Sequence, residues 1–585
     1  MSDIGAQSHL RGRLATHLEM LYPVSDKAAL IDELITIMAL EQRCFLPEAH
    51  KNLWDESDAL VISYGDSILR AGEWPLHTLH DFLRRELKGL ISGVHILPFY
   101  PYSSDDGFSV INYVEVNPSL GDWSDISAIA RDFDLMADLV INHCSSRSQW
   151  FENFKQRREP GVDYFVEVDA DCDLSDVVRP RTSPLLSEVQ TLDGKRYVWC
   201  TFSHDQVDLN FQNPRVLLEF VKIIRHYLDM GVKIFRLDAV AFLWKIPGTS
   251  CLNLEQTHEV VRLLRSLIEH AAPDTIIITE TNIPLRENLA YFGNANEAHL
   301  VYNFSLPPLL INTLVTGSCK ALKNWMMGMP AAQDGTTYFN FIASHDGIGL
   351  RPAEGLLDDT EINQLVALMQ KSGAKVSWRT LASGENRPYE INVSLFDALA
   401  RRLDCDDKID GYQEARFICA HALMLAVQGV PAFYIHSLLA TENDENRVLH
   451  TSHNRTINRH QWSADALEQQ LATASHHARI FAELKALIAL RSKQPAFHPN
   501  AAQYPLHLGD HVFGLRRDSH ADGGSGQVLL AIYNISACAQ TVPMGSLNLD
   551  ADKQWQKILG DESINIEDGD ILLLPYAYCW LACWC

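Results

Sequence analysis

Leu18, Leu21, Leu30, Ile31, Leu34, Ile35 and Met38 recur at steps of three and four with no strand signal between them, so residues 1 to about 50 read as a helical leader. From residue 59 the rhythm changes to short apolar runs separated by helical stretches. The runs are ALVISYGDS (59–67), SGVHILPFY (92–100), LMADLVINH (135–143), VKIFRLDAV (232–240), TIIITETN (275–282), HLVYNFSLP (299–307), YFNFIASHD (338–346) and VPAFYIHS (430–437). Each is too short for a buried helix and rich in β-branched or aromatic residues, the signature of a strand covered on both faces. Eight such strands with helices between them predict an α/β fold, a (β/α)8 TIM barrel. Two long intervals interrupt it, and HVFGLRR (511–517), QVLLAIYNIS (527–536) and GDILLLPYAYCWLACWC (569–585) predict a separate terminal β-domain. The boundaries that follow are a helical extension 1–54, barrel segments 55–143, 213–346 and 412–490, inserted domains 144–212 and 347–411, and a C-terminal antiparallel β-domain 491–585. The one short low-complexity tract is HADGGSG (520–526).

Carboxylates end three of the runs: Asp238 the fourth, Glu280 the fifth and Asp346 the seventh. Residues at the carboxyl ends of barrel strands face the mouth, where barrel enzymes keep their chemistry. A single such acid reads most simply as a cap for the following helix. Three on nearby strands, two of them beside Arg236 and His345, read instead as a site. Acids converging without a metal cluster suit acetal chemistry, in which one carboxylate attacks and a second shuttles the proton. Arg236 precedes Asp238 by two residues, so strand alternation puts both on one face, where a guanidinium keeps Asp238 ionised. Glu280 must be protonated when a leaving group departs, which burial and neighbouring negative charge promote.

Length and composition narrow the alternatives. The chain has 585 residues, 47% apolar and 21% charged, the balance of an ordinary globular protein. Its net charge of −25 repels phosphate backbones and anionic lipid, so neither nucleic-acid nor membrane binding is expected. The opening MSDIGAQSHLRGRL lacks the apolar core of a signal peptide, and twelve scattered cysteines lack metal-ligand spacing, pointing to a reducing cytoplasm. SSDDG (103–107) has closely spaced acids but not the full alternating ligand set of a calcium loop, so no metal and no cofactor are expected. The leader reads as a helix packed on the barrel or on a second copy of the chain, which leaves a homodimer open.

DLVINH (138–143), FRLDAV (235–240), ITETN (278–282) and FIASHD (341–346), in this order, resemble the four conserved regions of the α-amylase superfamily, glycoside hydrolase family 13. That resemblance implies Asp238 as nucleophile, Glu280 as acid/base and Asp346 as transition-state stabiliser, with His143, Arg236 and His345 on the donor sugar. It also implies that the two inserted domains are the B and B′ subdomains of that superfamily. PFYPYSSDDGFSVINY (98–113), RPR (179–181), TFSHDQVDLN (201–210), KIPGTSC (245–251), SHDGIGL (344–350), PYEINVSLFDAL (388–399) and INRHQW (457–462) are similar to the sucrose phosphorylase branch. By that likeness Asp105 and Phe108 shape a glucose pocket, Gln206 and Arg459 line it, and Arg181 and Tyr389, helped by Arg179, receive phosphate. On the residues alone, Arg-Pro-Arg reads equally as a surface ion-pair motif, and His143 as a hydrogen-bonded core histidine.

WDESD (54–58), PYEIN and ETN-x-P (280–284) are most similar to the glucosylglycerate phosphorylases of that branch. Tyr389-Glu390 stands where sucrose enzymes carry Tyr-Gln in an acceptor loop, which argues against sucrose. The implied activity is reversible phosphorolysis of 2-O-α-D-glucosyl-D-glycerate, with inorganic phosphate as co-substrate. The alternatives are sucrose, sucrose 6-phosphate or glucosylglycerol as substrate and, more remotely, an α-glucosidase-type hydrolase.

Overall fold

The computed structural model describes residues 3–181, 183–380, 386–405, 409–519, 526–549, 553–560 and 570–584. Eight strands close into a parallel barrel: β1 (Leu60–Ser63), β2 (Gly93–Ile96), β3 (Asp134–Val140), β4 (Val232–Asp238), β5 (Ile276–Thr279), β6 (Leu300–Tyr302), β7 (Thr337–Asn340) and β8 (Val430–Tyr434). Each pairs with its neighbours in sequence, and β1 closes on β8 through the register Leu60↔Ala432. Their near-continuous burial explains why the runs read as strands: helices cover the outer face and side-chain layers fill the inner one.

The leader forms two helices, Asp3–Leu21 and Lys27–Ile37, and stops well short of residue 50. The apolar rhythm itself ends at Met38, and Ala39 turns the chain left-handed with φ 56°. The first of these helices packs on the barrel helix Glu255–Ala271, where His17 Nδ1 lies 2.8 Å from Glu259 Oε1.

Both long intervals build walls beside the mouth. After β3, His143–Ser145 pairs antiparallel with Gln206–Asp208, and Leu186–Thr191 pairs with Gly194–Trp199. After β7, Ile348–Gly349, Lys375–Thr380 and Asn386–Asn392 form a three-stranded sheet with the last strand central. The terminal domain carries a five-stranded antiparallel sheet. The apolar stretch 569–585 breaks near Pro575: Asp570–Leu573 pairs with Gln540–Pro543 in a separate ribbon, while Tyr578–Trp584 enters the main sheet. Residues 520–525 of the HADGGSG tract lie outside the described residues, as does Cys585. No helix among the described residues is long and apolar enough to cross a membrane.

Candidate active site

The site is built on β4. Register pairs Arg236 with Asp138 of β3, so the guanidinium lies between a carboxylate on the neighbouring strand and one two residues ahead on its own. Arg236 Nη1 donates to Asp138 Oδ1 and, at 2.6 Å, to Asp238 Oδ1; Nη2 lies 3.9 Å from Glu280 Oε2. Asp138 is held from its other side by His95 Nε2 at 2.6 Å. Burial opposes the charge on Arg236, but Asp138 first, then Tyr302, Asp238 and Glu280, hold it firmly cationic. After Asp238 the backbone turns left-handed at Ala239 (φ 50°, ψ 29°), an uncommon conformation for a residue with a Cβ. The turn aims the Ala239 N–H at Glu280 Oε2, 3.1 Å away. Thus one guanidinium and one backbone amide fix two acids from adjacent strands in one place.

Burial raises Asp238 well above the usual carboxylate range, opposed by Arg236 and reinforced by Glu280. Burial raises Glu280 as well, again opposed by Arg236 and reinforced by Asp346. Two acids so placed cannot both be ionised cheaply and behave as a pair sharing a proton. The aligned hydrogen bond from Arg236 goes to Asp238, whereas the guanidinium only approaches Glu280. That asymmetry favours the negative charge on Asp238 over Glu280, against the pull of the Ala239 N–H on Glu280.

Asp346 differs in character. Burial would raise it, but Arg455 foremost, with His345, Arg459 and Arg236, holds it well below the usual carboxylate range. Arg455 Nη1 is 2.5 Å from Asp346 Oδ1, close but not aligned as a hydrogen bond, so the oxygen keeps a free direction. His345 stacks on Phe108 with ring centroids 5.1 Å apart, and burial drives its pKa down to about 3, leaving a neutral imidazole. The next residue, Gly347, is a close-approach glycine: a Cβ there would sit 2.5 Å from the Cγ of Glu390.

The opposite wall comes from the first insertion. The pairing of His143–Ser145 with Gln206–Asp208 brings Gln206 Nε2 to 3.2 Å from both His143 Nε2 and Asp105 Oδ2. Asp105 reaches inward because Asp105, Asp106 and Gly107 all adopt positive φ, and a Cβ on Gly107 would collide with the Pro98 carbonyl at 2.7 Å. The Asn142 amide donates to His143 Nδ1 at 3.1 Å, which leaves the Nε2–H to donate to the Phe108 carbonyl at 3.0 Å. Asn142 is positioned in turn by Lys245, whose Nζ donates to its Oδ1 at 2.6 Å and pairs with Asp208 at 2.8 Å.

These groups surround a solvent-open cavity of about 830 Å³. Asp105, Phe108, His143, Gln206, Arg236, Asp238, Glu280, His345, Asp346, Arg181, Tyr389 and Glu390 all line it. Two expected residues do not. Arg459 lies behind Asp346 (3.9 Å) and faces a neighbouring cavity, because Asp106 takes its Nη1 and the His345 carbonyl its Nε. Arg179 is exposed and is not part of the cavity lining, although it stands two residues before Arg181. Glu390, expected to touch the acceptor, is buried and gives both oxygens to Arg455.

Sequence reasoning passed over Asp138, Arg455 and Arg351. Asp138 was signalled by being the lone carboxylate inside an apolar strand, and Arg455 by standing one helical turn before Arg459. Arg351 carries no such local signal. Within the residues lining the cavity, Arg236 Nε, Asn282 Oδ1, His345 Nδ1 and Asp346 Oδ1 are buried without a hydrogen-bond partner among the described residues. Buried polar atoms are almost always satisfied, so this cluster fits a polyhydroxylated ligand.

A family model for the α-amylase catalytic domain matches residues 86–350. The barrel and its acidic pocket are therefore those of the α-amylase class. The chain is 41% identical over 577 residues to the glucosylglycerate phosphorylase of Escherichia coli K12, covering 98% of this chain and 100% of that protein. It is 45% identical over 498 residues to the glucosylglycerate phosphorylase of Allomeiothermus silvanus, covering 84% and 88%. Among solved structures, that of sucrose 6F-phosphate phosphorylase from Thermoanaerobacter thermosaccharolyticum superposes with a TM-score of 0.70 at 26% identity, covering 88% of this chain and 98% of that one. Within the α-amylase class, the chain belongs to the glucosylglycerate phosphorylase family.

Proposed function

We propose that this chain catalyses the reversible phosphorolysis of 2-O-α-D-glucosyl-D-glycerate to α-D-glucose 1-phosphate and D-glycerate, by two displacements through a covalent β-glucosyl-Asp238. The observation that carries the reading is Arg236 hydrogen-bonded to Asp238 and only near Glu280, which separates a charged carboxylate from a protonated one. Asp238 attacks the anomeric carbon while Glu280 gives its proton to the glycerate O2, breaking the glycosidic bond. Asp346, kept anionic by Arg455, supports the positive charge that develops on the sugar and accepts its hydroxyls. Phosphate then attacks from the face glycerate left, the bond to Asp238 breaks, and any proton released by phosphate returns to Glu280. Two inversions give net retention.

In a protein of net charge −25, an anion reaches three carboxylates only through local cations. Arg181, whose guanidinium lies over the Tyr389 ring at 5.8 Å, supplies one at the mouth for phosphate, with Tyr389 beside it. No cofactor is needed, because phosphate is already nucleophilic. The net charge weighs against nucleic-acid partners. The nine described cysteines other than Cys44 and Cys583 form no disulfide, which fits a reducing cytoplasm. Phosphate release from glucose 1-phosphate, measured with glycerate, fructose, fructose 6-phosphate or glycerol as acceptor, tests the assignment. Glycerate is expected to be preferred; release that needs no acceptor, or that favours fructose, would replace it with the hydrolytic or sucrose reading.

A further inference from the structure

Four arginines line the cavity: Arg181, Arg236, Arg351 and Arg455. Two of them are committed. Arg236 is held by Asp138 and Asp238, and Arg455 by Asp346 and both oxygens of Glu390. Arg181 and Arg351 have no carboxylate within ion-pair distance among the described residues. They are the cations left for a ligand. The proposed reaction must hold two different anions in this region at different stages, phosphate and the carboxylate of glycerate.

Arg351 is the more firmly placed. It begins a short 3-10 turn, Arg351–Ala353, whose Pro352 carbonyl accepts from Ser305 Oγ of the barrel at 3.1 Å. The Leu350 N–H donates to the Tyr389 carbonyl at 3.0 Å, continuing the register Gly349↔Glu390. Arg351 is therefore fixed beside Tyr389 by backbone hydrogen bonds, on the same loop as Asp346, whereas Arg181 reaches Tyr389 from the other insertion. In glucosylglycerate the carboxylate is bonded to the carbon that bears the glycosidic oxygen. A cation recognising it must line the same cavity as the reacting acids, and Arg351 does. Its planar guanidinium matches a carboxylate in two parallel hydrogen bonds.

We propose that Arg351 binds the acceptor carboxylate and sets the preference for an acidic over a neutral acceptor. The inference rests on the glucosylglycerate reading above. The test compares the full-length wild-type chain with Arg351→Gln and Arg351→Lys, using glucose 1-phosphate as donor and D-glycerate, glycerol or water as acceptor. Arg351→Gln is expected to raise the glycerate KM by ~10- to 100-fold, the loss expected for a charge-assisted bidentate contact. The glycerate-to-glycerol preference should fall by the same factor. The rate to water and the KM for phosphate in the reverse direction should stay within about threefold. Arg351→Lys should recover part of the preference. An active Arg351→Gln enzyme with the wild-type preference, or one in which the phosphate KM rises in step with that of glycerate, would overturn the proposal. Failure of the wild type to use glycerate at all would overturn the underlying reading instead.

Discussion

Arg455 donates to both carboxylate oxygens of Glu390, Nε at 3.0 Å and Nη2 at 2.7 Å, while its remaining nitrogen lies 2.5 Å from Asp346. A guanidinium fixed on one side presents its charge on the other at a set position, so Glu390 acts on Asp346 through Arg455. Glu390→Gln keeps the shape and loses the charge-assisted pair. It is expected to lower kcat on the order of 10- to 100-fold, the usual cost of a misplaced catalytic group. The loss should be equal with glycerate and with water as acceptor. A loss confined to glycerate would instead make Glu390 an acceptor contact.

Asp238→Asn removes the attacking oxygen's charge but keeps hydrogen-bonding capacity toward Arg236. Glucosyl transfer should fall by ~10⁴-fold or more with an unchanged far-UV circular dichroism spectrum. Retained turnover would move the nucleophile elsewhere.

Glu280 carries a raised pKa, so its protonated form persists above the usual carboxylate range and cleavage is lost as pH climbs through that value. In Glu280→Gln this alkaline limb should vanish, with kcat on glucosylglycerate down ~10²- to 10⁴-fold. α-Glucosyl fluoride, whose leaving group needs no proton, should still glucosylate the variant at close to the wild-type rate. The pH profile of kcat and the single-turnover rate with the fluoride check both statements.

Arg181→Ala should raise the phosphate KM about tenfold or more and leave donor cleavage to water within about threefold. Parallel loss of phosphorolysis and hydrolysis would remove Arg181 from the phosphate site.

The barrel was legible because strands buried on both faces show as unbroken apolar runs, and the three acids were legible because each closes such a run, although Asp346 lies six residues past the end of β7. Arg455 was within reach, standing four residues before Arg459, yet nothing local says which of the two faces the cavity; Asp106 decides that by holding Arg459 back. Arg351 was out of reach, since its place depends on a strand pairing between residues 349 and 390 that no local pattern encodes. The end of the leader helices at Ile37 is marked only by the apolar steps stopping at Met38; the loop that follows mixes buried Leu40 and Cys44 with polar residues and shows neither helical nor strand spacing.

Several histidines are buried and neutral. Burial lowers His299 well below its ordinary value, His270 and His421 to about 4, and His436 to about 3. An unfolded histidine takes up a proton near pH 6.5, so below that pH the unfolded chain binds more protons and stability falls. Each such histidine contributes about 1.4 kcal/mol of loss per pH unit between the two values. Asp238 and Glu280, whose folded values are raised, act in the opposite direction but are fewer. Tm should therefore drop steadily from pH 6.5 to 4.5, and less steeply in His421→Gln than in wild type. A flat profile would contradict the burial of these rings as neutral groups.

The central claim is a glucosyl unit handed twice across one anomeric carbon, through Asp238, between glycerate and phosphate. Proton NMR of the sugar phosphate first formed from 2-O-α-D-glucosyl-D-glycerate and inorganic phosphate tests it most directly. The account predicts α-D-glucose 1-phosphate; β-D-glucose 1-phosphate, or free glucose in place of a phosphate ester, would contradict it.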